Sequence, residues 1–345
     1  MDKAPLLGHL ATCTILGVCG IAGLFAKSQA VEQELGALLA AMMEQLADRG
    51  PDSSGVALYR EPVAAGATKL SLLVADAGAV DWHELARALS GPVGEARILA
   101  PHDQHAILAV EADAQTARTW LAEHRPEIAV IGSGRAIELH KRIGAPRVML
   151  DACGIREQSA THGIGHTRMA TESRVTTAGS HPFSTGEDLC LVHNGSLSNH
   201  NNLRRELRRH GVGFATENDS EVAAGYLMWR LGEGDTLAEA LESSLAELDG
   251  FFTFAVGTVD GFAVLRDPVA CKPAVMAETD DWVAIASEYR AISTLPGAAD
   301  AEVWEPEPGQ VYSWSRLELL GLGATGAARA GGAPPAGAGV SELVA

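Results

Sequence analysis

The residue with the clearest chemical potential is Cys19, which opens the apolar run Cys-Gly-Ile-Ala-Gly-Leu-Phe. A cysteine thiol attacks a carbonyl carbon once a base has removed its proton. Taken alone, this segment favours a different interpretation, a core strand that holds a buried and inert cysteine. A chemical role for Cys19 therefore depends on what the rest of the chain can place beside it.

Three later motifs carry groups that a nucleophile would use. His193-Asn194-Gly195 ends a short apolar run, and the Asn194 side chain and the Gly195 N–H offer two donors to a developing oxyanion. Arg168 offers a forked guanidinium that fits a carboxylate. Asp219, at the start of a predicted helix, offers a carboxylate to an ammonium group. Each also has a plain structural interpretation: a turn, a surface ion pair and an acidic first helical turn.

Seven motifs follow one another along the chain. They are Cys-Gly-Ile-Ala-Gly-Leu-Phe at Cys19, Arg-Gly-x-Asp-Ser at Arg49, His-Thr-Arg-Met-Ala-Thr at His166, His-Asn-Gly at His193, Asn-Asp-Ser-Glu at Asn218, Arg-Asp-Pro…Lys-Pro at Arg266 and Ala-Ser-Glu-Tyr-Arg-Ala at Ala286. One of them alone would be a weak signal. In this order they resemble the class II glutamine amidotransferases, a branch of the N-terminal nucleophile hydrolases. The chain is most similar to stand-alone amidotransferase subunits of the glutamate synthase type, such as the first subunit of N-methylglutamate synthase.

The resemblance implies an enzyme with a specific mechanism. The Cys19 thiol would attack the side-chain carbonyl of glutamine, expel ammonia and form a γ-glutamyl thioester that water hydrolyses. The base would be the free α-amine of Cys19 itself, whose ordinary pKa of about 7.7–8.0 suits proton transfer near neutral pH. Asn194 and Gly195 would form the oxyanion hole.

The same resemblance implies roles for five substrate-site residues. Arg168 would hold the α-carboxylate of glutamine and Asp219 its α-amino group. Thr171 and His181 would shape the pocket, and Arg49 would lie near the nucleophile. No cysteine pair has C-x-x-C spacing, so we expect no metal site.

The requirement for a free α-amine makes residues 1–18 important, and three alternatives are open. Translation starts at Val18, whose initiator Met is trimmed; or the leader is a propeptide that is removed; or it is retained and the glutaminase is silent. The nearly uncharged stretch 4–26 also resembles a secretory signal or a membrane span, but it contains His9 and has no Ala-x-Ala site. We favour the mis-assigned start, and with it a cytoplasmic protein without a membrane segment.

Composition limits the partners. The net charge of -18 argues against a nucleic-acid binder, which needs a basic face. The sequence has no pyrophosphate loop, P-loop, flavin motif or cluster motif, so we expect no cofactor in this chain. The expected partners are L-glutamine and a synthase subunit that receives ammonia and carries FMN and iron–sulfur groups, in a hetero-oligomer. The alternative is a catalytically idle scaffold or regulatory subunit of such a synthase.

Periodicity predicts the elements that must position these residues. A helix is expected over 31–48, a strand over 189–193 that runs into an Asn-Gly turn, and a hairpin over 251–265. Helices and strands mix without βαβ alternation, which indicates an α+β fold with antiparallel sheets. The resemblance implies a four-layer αββα sandwich over 19–315, with an insertion-like elaboration at about 60–160. Residues 316–345 are expected to form a disordered tail.

Overall fold

A computed structural model describes residues 19–169 and 175–321. In chain order the elements are β1 (Gly20–Ala26), α1 (Gln29–Gln45), β2 (Ser53–Tyr59), β3 (Thr68–Leu73), α2 (Trp82–Leu89), β4 (Ala96–Pro101), β5 (His105–Val110), α3 (Ala114–His124), β6 (Ala129–Gly134), β7 (Ile137–Ile143), α4 (Pro146–Ala152), β8 (His162–Arg168), β9 (Cys190–Leu197), α5 (His200–Arg209), α6 (Asp219–Gly232), α7 (Leu237–Glu247), β10 (Gly250–Thr258), β11 (Gly261–Arg266), β12 (Val275–Glu278), β13 (Trp282–Ala286), α8 (Tyr289–Ile292), β14 (Glu302–Trp304), β15 (Val311–Ser315) and α9 (Arg316–Leu319). The expected leader, Thr171 and most of the expected tail lie outside the described residues.

Two antiparallel sheets form the centre of the molecule. One has seven strands in the order β14-β12-β13-β1-β8-β2-β7, and the other has four in the order β15-β11-β10-β9. Apolar side chains from both sheets, among them Phe25, Ile285, Val192 and Phe262, form one buried cluster between them. Burial of such large side chains is the main favourable term that holds two sheets face to face.

Helices cover the outer faces of both sheets. Leu35 and Leu39 of α1, Leu150 of α4 and Ile292 of α8 form a cluster on the seven-stranded sheet. Residues of α5, α6 and α7 form another cluster with the four-stranded sheet, represented by Leu207. The order of layers is helix, sheet, sheet, helix, so the predicted four-layer αββα sandwich is confirmed.

The region 60–160 contains a third sheet, in the order β4-β5-β3-β6, with α2 and α3 packed on it. A buried ion pair between Lys69 of β3 and Glu138 of β7, 2.7 Å long, joins this sheet to the seven-stranded sheet. Not all of the range is an addition to the sandwich. Strand β7 completes the seven-stranded sheet and α4 covers it, so the added unit ends near Gly134 rather than at 160.

Local signals placed several elements correctly. Strands β10 and β11 form the predicted hairpin, with Phe254 paired to Leu265. Thr236 caps α7 and forms a reciprocal capping box with Glu239. Helix α1 is also present, but it begins at Gln29 and ends at Gln45, before the predicted end at residue 48. These elements depend on neighbours in sequence, which is why a local pattern finds them.

The predicted Asn-Gly turn after 189–193 is wrong. Strand β9 continues to Leu197, because Asn194 pairs with Thr253 and Gly195 with Phe252 of β10. Gly195 has φ 154°, and a Cβ atom there would lie 2.0 Å from the carbonyl oxygen of Phe251. The glycine therefore allows close approach of two strands, not a chain reversal.

Among the described residues, no helix combines the length and the apolar character that a membrane crossing requires.

Candidate active site

Cys19 stands at the open end of β1, the central strand between β13 and β8. The next residue, Gly20, pairs with Thr167, and a Cβ at Gly20 would lie 2.7 Å from the Thr167 hydroxyl. The Cys19 side chain is partly buried, and its Sγ lies 3.7 Å from the carbonyl oxygen of Met169. The strand end thus presents a thiol beside the segment that follows β8.

The carbonyl oxygen of Cys19 is held from two sides. Asn194 Nδ2 donates to it at 2.9 Å, and Arg49 Nε donates to it at 3.2 Å. The Arg49 guanidinium also pairs with Glu288, which follows β13. Residues of three separate sequence motifs therefore fix the backbone of the candidate nucleophile.

Asn194 and Gly195 keep donors near the thiol. An amide NH₂ carries two protons, so the contact with Cys19 leaves one for a substrate oxygen. Asn194 is buried, whereas Gly195 is exposed at the surface of β9. A buried side-chain donor beside an exposed glycine is compatible with the predicted oxyanion hole, which stays a prediction.

Two positive charges act on the thiol. Arg168, the buried last residue of β8, and Lys272 both oppose the effect of burial, yet burial dominates and raises the pKa of the Cys19 thiol. The thiol is therefore protonated at neutral pH and requires a base before it can attack. No site role was predicted for Lys272, although it belongs to the Arg-Asp-Pro…Lys-Pro motif. Arg266 of the same motif holds the Lys272 carbonyl oxygen at 3.0 Å.

Asp219 begins α6 and is anchored to β9. Its Oδ2 accepts from the Leu197 backbone N–H at 2.9 Å, and its Oδ1 lies 3.9 Å from His193 Nδ1. Burial lowers the pKa of His193 although the Asp219 charge opposes this, so the ring is neutral near pH 7. A neutral His193 places no positive charge beside the Asp219 carboxylate, which is compatible with the predicted contact to a substrate ammonium group.

His181 is buried beneath this group. Its Nε2 lies 2.9 Å from Ser220 Oγ, which also lies 3.0 Å from His193 Nδ1. The Ser220 hydroxyl also lies 3.4 Å from Asp219 Oδ1. Its single proton goes either to that carboxylate or to one of the two rings, and its oxygen accepts from a ring N–H. His181 also stacks on His166 with centroids 4.0 Å apart. These contacts fit a positioning role for His181 through Ser220; its substrate-site role remains a prediction.

The structure brings Cys19, Arg49 and Asn194 into direct contact. The positive charge of Arg168 acts to lower the pKa of the Cys19 thiol, against the larger effect of burial. Asp219 and His181 form a second group, joined to the first because His193 precedes Asn194 in β9. Glu288, Ser220 and Lys272 were not predicted as site residues. Together the two groups contain a thiol, a side-chain amide, a cation and a carboxylate, the chemical groups that the predicted hydrolysis of an α-amino acid amide uses.

Comparisons with known proteins agree with this geometry. Residues 166–294 match the family model described as a glutamine amidotransferase domain. The chain is 51% identical over 299 residues to the glutamine amidotransferase-like protein GlxB of Rhizobium meliloti, covering 86% of this chain and 98% of that protein. It is 31% identical over 191 residues to an amidophosphoribosyltransferase of Methanocaldococcus jannaschii, covering 54% of this chain and 40% of that protein.

A solved structure shows the same fold. The glutamine phosphoribosylpyrophosphate amidotransferase from B. subtilis superimposes with a TM-score of 0.53 at 19% identity, covering 86% of this chain and 47% of that one. The fold, the order of the motifs along the chain and the similarity to a relative over nearly its full length all indicate the same family. The chain belongs to the class II glutamine amidotransferases, which have the N-terminal nucleophile fold.

Proposed function

We propose that this chain hydrolyses L-glutamine to glutamate and ammonia through a Cys19 γ-glutamyl thioester, and that a synthase subunit consumes the ammonia. The observation that carries the proposal is the anchoring of the Cys19 carbonyl by Asn194 Nδ2 at 2.9 Å and Arg49 Nε at 3.2 Å. This contact holds the thiol beside the oxyanion donors. The α-amine of a chain that begins at Cys19 would receive the thiol proton and later deliver it to the leaving ammonia.

The ammonia-using partner is inferred from what the sequence lacks. Ammonia released to solvent is lost to synthesis, and no pyrophosphate, flavin or cluster motif occurs in the chain. The motif resemblance to glutamate-synthase-type subunits supports a separate partner of that kind, including N-methylglutamate synthase, with FMN and iron–sulfur groups on the partner. Co-purification from native cells tests this point, with an associated flavin spectrum as the expected result.

The alternative is an idle scaffold subunit in which residues 1–18 stay attached and block the α-amine. An amide nitrogen in place of the amine has no basic lone pair, so the chemistry would stop. The experiment compares a chain that begins at Cys19 with one that retains Val18, in glutamate release from glutamine. We expect release from the first alone, and mass spectrometry of the native N-terminus should find Cys19 first. A native peptide that still carries Val18 would favour the scaffold.

Substitution of Arg168 by lysine is expected to lower kcat/KM for glutamine roughly 10- to 100-fold, mainly through KM. The reason is that a single ammonium replaces the two-pronged contact with the α-carboxylate, a charged hydrogen-bonding group worth about 1.5–3 kcal/mol. Steady-state kinetics of glutamate release measure this. Arg209→Lys on α5, whose side chain is 72% exposed, is the control and should leave both constants unchanged. Equal KM values for the two variants would show that Arg168 does not contact the substrate.

A further inference from the structure

Three potential metal ligands meet between the third sheet and the main body. His102 lies in the turn between β4 and β5, His140 lies within β7, and Cys153 follows the last turn of α4. One ring nitrogen of each histidine and the Cys153 Sγ all lie within 4.8 Å of one another. None of the three belongs to the seven motifs that carry the glutaminase site.

Three ring nitrogens of this group are buried without hydrogen-bond partners in the described part of the chain. His140 is 0% exposed, and neither of its ring nitrogens is paired; His102 Nε2 is buried and unpaired as well. Leaving such an atom unsatisfied costs about 1–3 kcal/mol. Two unpaired histidine rings beside a cysteine thiol indicate a ligand that accepts a lone pair from each residue.

The neighbours do not supply those partners. His105 lies close by, but its Nε2 accepts from the Lys141 backbone N–H at 3.3 Å. The hydrogen bond that anchors the turn uses the His102 carbonyl oxygen, which accepts from Trp82 Nε1 at 2.7 Å, and leaves the imidazole untouched. Neither of these hydrogen bonds occupies a ring nitrogen of His102 or His140.

We propose that His102, His140 and Cys153 form a zinc site. Two imidazole nitrogens and a thiolate are ligands that Zn²⁺ prefers, whereas Mg²⁺ and Ca²⁺ require oxygen donors that this group lacks. Zinc binds such ligands at about 2.0–2.3 Å in a tetrahedron, so a modest contraction of the present group completes three of its positions. A water molecule takes the fourth, on the side where His102 is only partly buried. On binding, the Cys153 thiol releases one proton to solvent as the zinc–sulfur bond forms.

The bound ion ties three elements together. It links the β4–β5 turn of the third sheet to β7 and to α4, which are the edge strand and a covering helix of the main body. The role we assign is structural, and it does not rest on the glutaminase chemistry. Zinc occupancy is expected to raise the thermal unfolding temperature without changing the chemistry at Cys19.

The test measures zinc on the full chain. Elemental analysis of the purified protein, and titration with Zn²⁺ against a chelator of known affinity, should give one ion per chain. Cys153→Ala and His140→Ala should weaken binding by more than about 100-fold, since even loss of a residue that only supports a ligand costs 10- to 100-fold. Cys190→Ala, at another buried cysteine, is the matched control and should keep full occupancy.

A measurement on the unaltered protein guards against variants that fail to fold. Co²⁺ bound at this site should show a thiolate-to-cobalt charge-transfer band together with the visible spectrum of a tetrahedral ion. Binding of neither metal by the unaltered chain would overturn the proposal, since water would then be what satisfies the histidines. Cobalt binding without the charge-transfer band, or undiminished zinc in Cys153→Ala, would overturn it equally.

Discussion

Replacement of Cys19 by alanine, in a chain that begins at residue 19, is expected to reduce glutamate release from glutamine by at least ~10⁴-fold. Removal of the nucleophile from a comparable covalent mechanism costs up to about 10⁶-fold in kcat. Without the thiol there is no addition to the amide carbonyl, so the proposed oxyanion donors Asn194 and Gly195 have no thiol-derived tetrahedral oxyanion to stabilise. Glutamate production at saturating glutamine measures the effect.

The conservative change Cys19→Ser tests whether the reaction needs the sulfur atom itself or only a polar side chain at residue 19. A serine keeps the hydrogen-bonding place of the side chain but offers a hydroxyl, which is a weaker nucleophile at neutral pH. We expect a rate between those of the alanine variant and the unaltered chain. Cys271→Ala, at an exposed cysteine, is the control and should retain the full rate. Alanine at residue 19 with a rate within tenfold of the unaltered chain would exclude the thioester mechanism.

The pH dependence of kcat/KM reports which group removes the proton from the Cys19 thiol. Burial raises the pKa of the Cys19 thiol, so the thiol does not ionise by itself in the neutral range. The rise of kcat/KM with pH should therefore report the α-amine, near its ordinary value of about 7.7–8.0. A residue before Cys19 would turn this amine into an amide without a basic lone pair, so the proposed function depends on which residue is first in the chain.

Elements whose stabilising contacts are local could be predicted from the sequence. The β10–β11 hairpin closes through a short turn, and α7 is capped by Thr236, whose side chain accepts from the Glu239 backbone N–H. The continuation of β9 through Asn194 and Gly195 could not, because its partners in β10 lie more than fifty residues later. A turn signal records only local preference, and distant strand pairing overrides it.

The candidate site divides in the same way. Residues within the motifs could be assigned roles through the family resemblance. The contacts that position them are not visible in one sequence: Glu288 reaches Arg49 across 239 residues, and Ser220 joins His181 to His193. The proposed zinc ligands, spread over 102–153, form no recognisable spacing at all. Only the fold shows that they meet.

Mild acid is expected to unfold the protein, between about pH 5 and pH 3. Three histidines of the sandwich are buried in their neutral form. Burial lowers the pKa of His162 and of His166 to about 3, and lowers that of His181 well below its ordinary value. His162 illustrates the cause, since it stacks on Tyr59 at 4.2 Å and donates from Nε2 to the Thr258 carbonyl. Burial keeps water away from the ring, so the positive charge of a protonated His162 is not stabilised by solvent.

The direction follows from which state binds more protons. The unfolded chain protonates these histidines near pH 6.5, whereas the folded chain resists until about pH 3. Above pH 6.5 the neutral histidines do not reduce the free energy of unfolding. Below it, this free energy falls progressively until about pH 3. Each histidine contributes about 1.4 kcal/mol per pH unit, so three give about 4. A typical domain has a free energy of unfolding of about 5–15 kcal/mol, so this loss is large enough to unfold the protein between about pH 5 and pH 3.

Urea unfolding at a series of pH values from 7 to 4 measures the slope of the unfolding free energy directly. His162→Gln should lower the slope by about 1.4 kcal/mol per pH unit, one proton's worth, whatever it does to stability at pH 7. His83→Gln, at an exposed histidine on α2, should leave the slope unchanged. If the unfolding free energy were constant from pH 6.5 to 4.5, the buried rings would have to accept protons in the folded state. His166 and His181 would then be charged in the folded protein, and the contact of Ser220 with neutral His181 and His193 rings that we describe would be wrong.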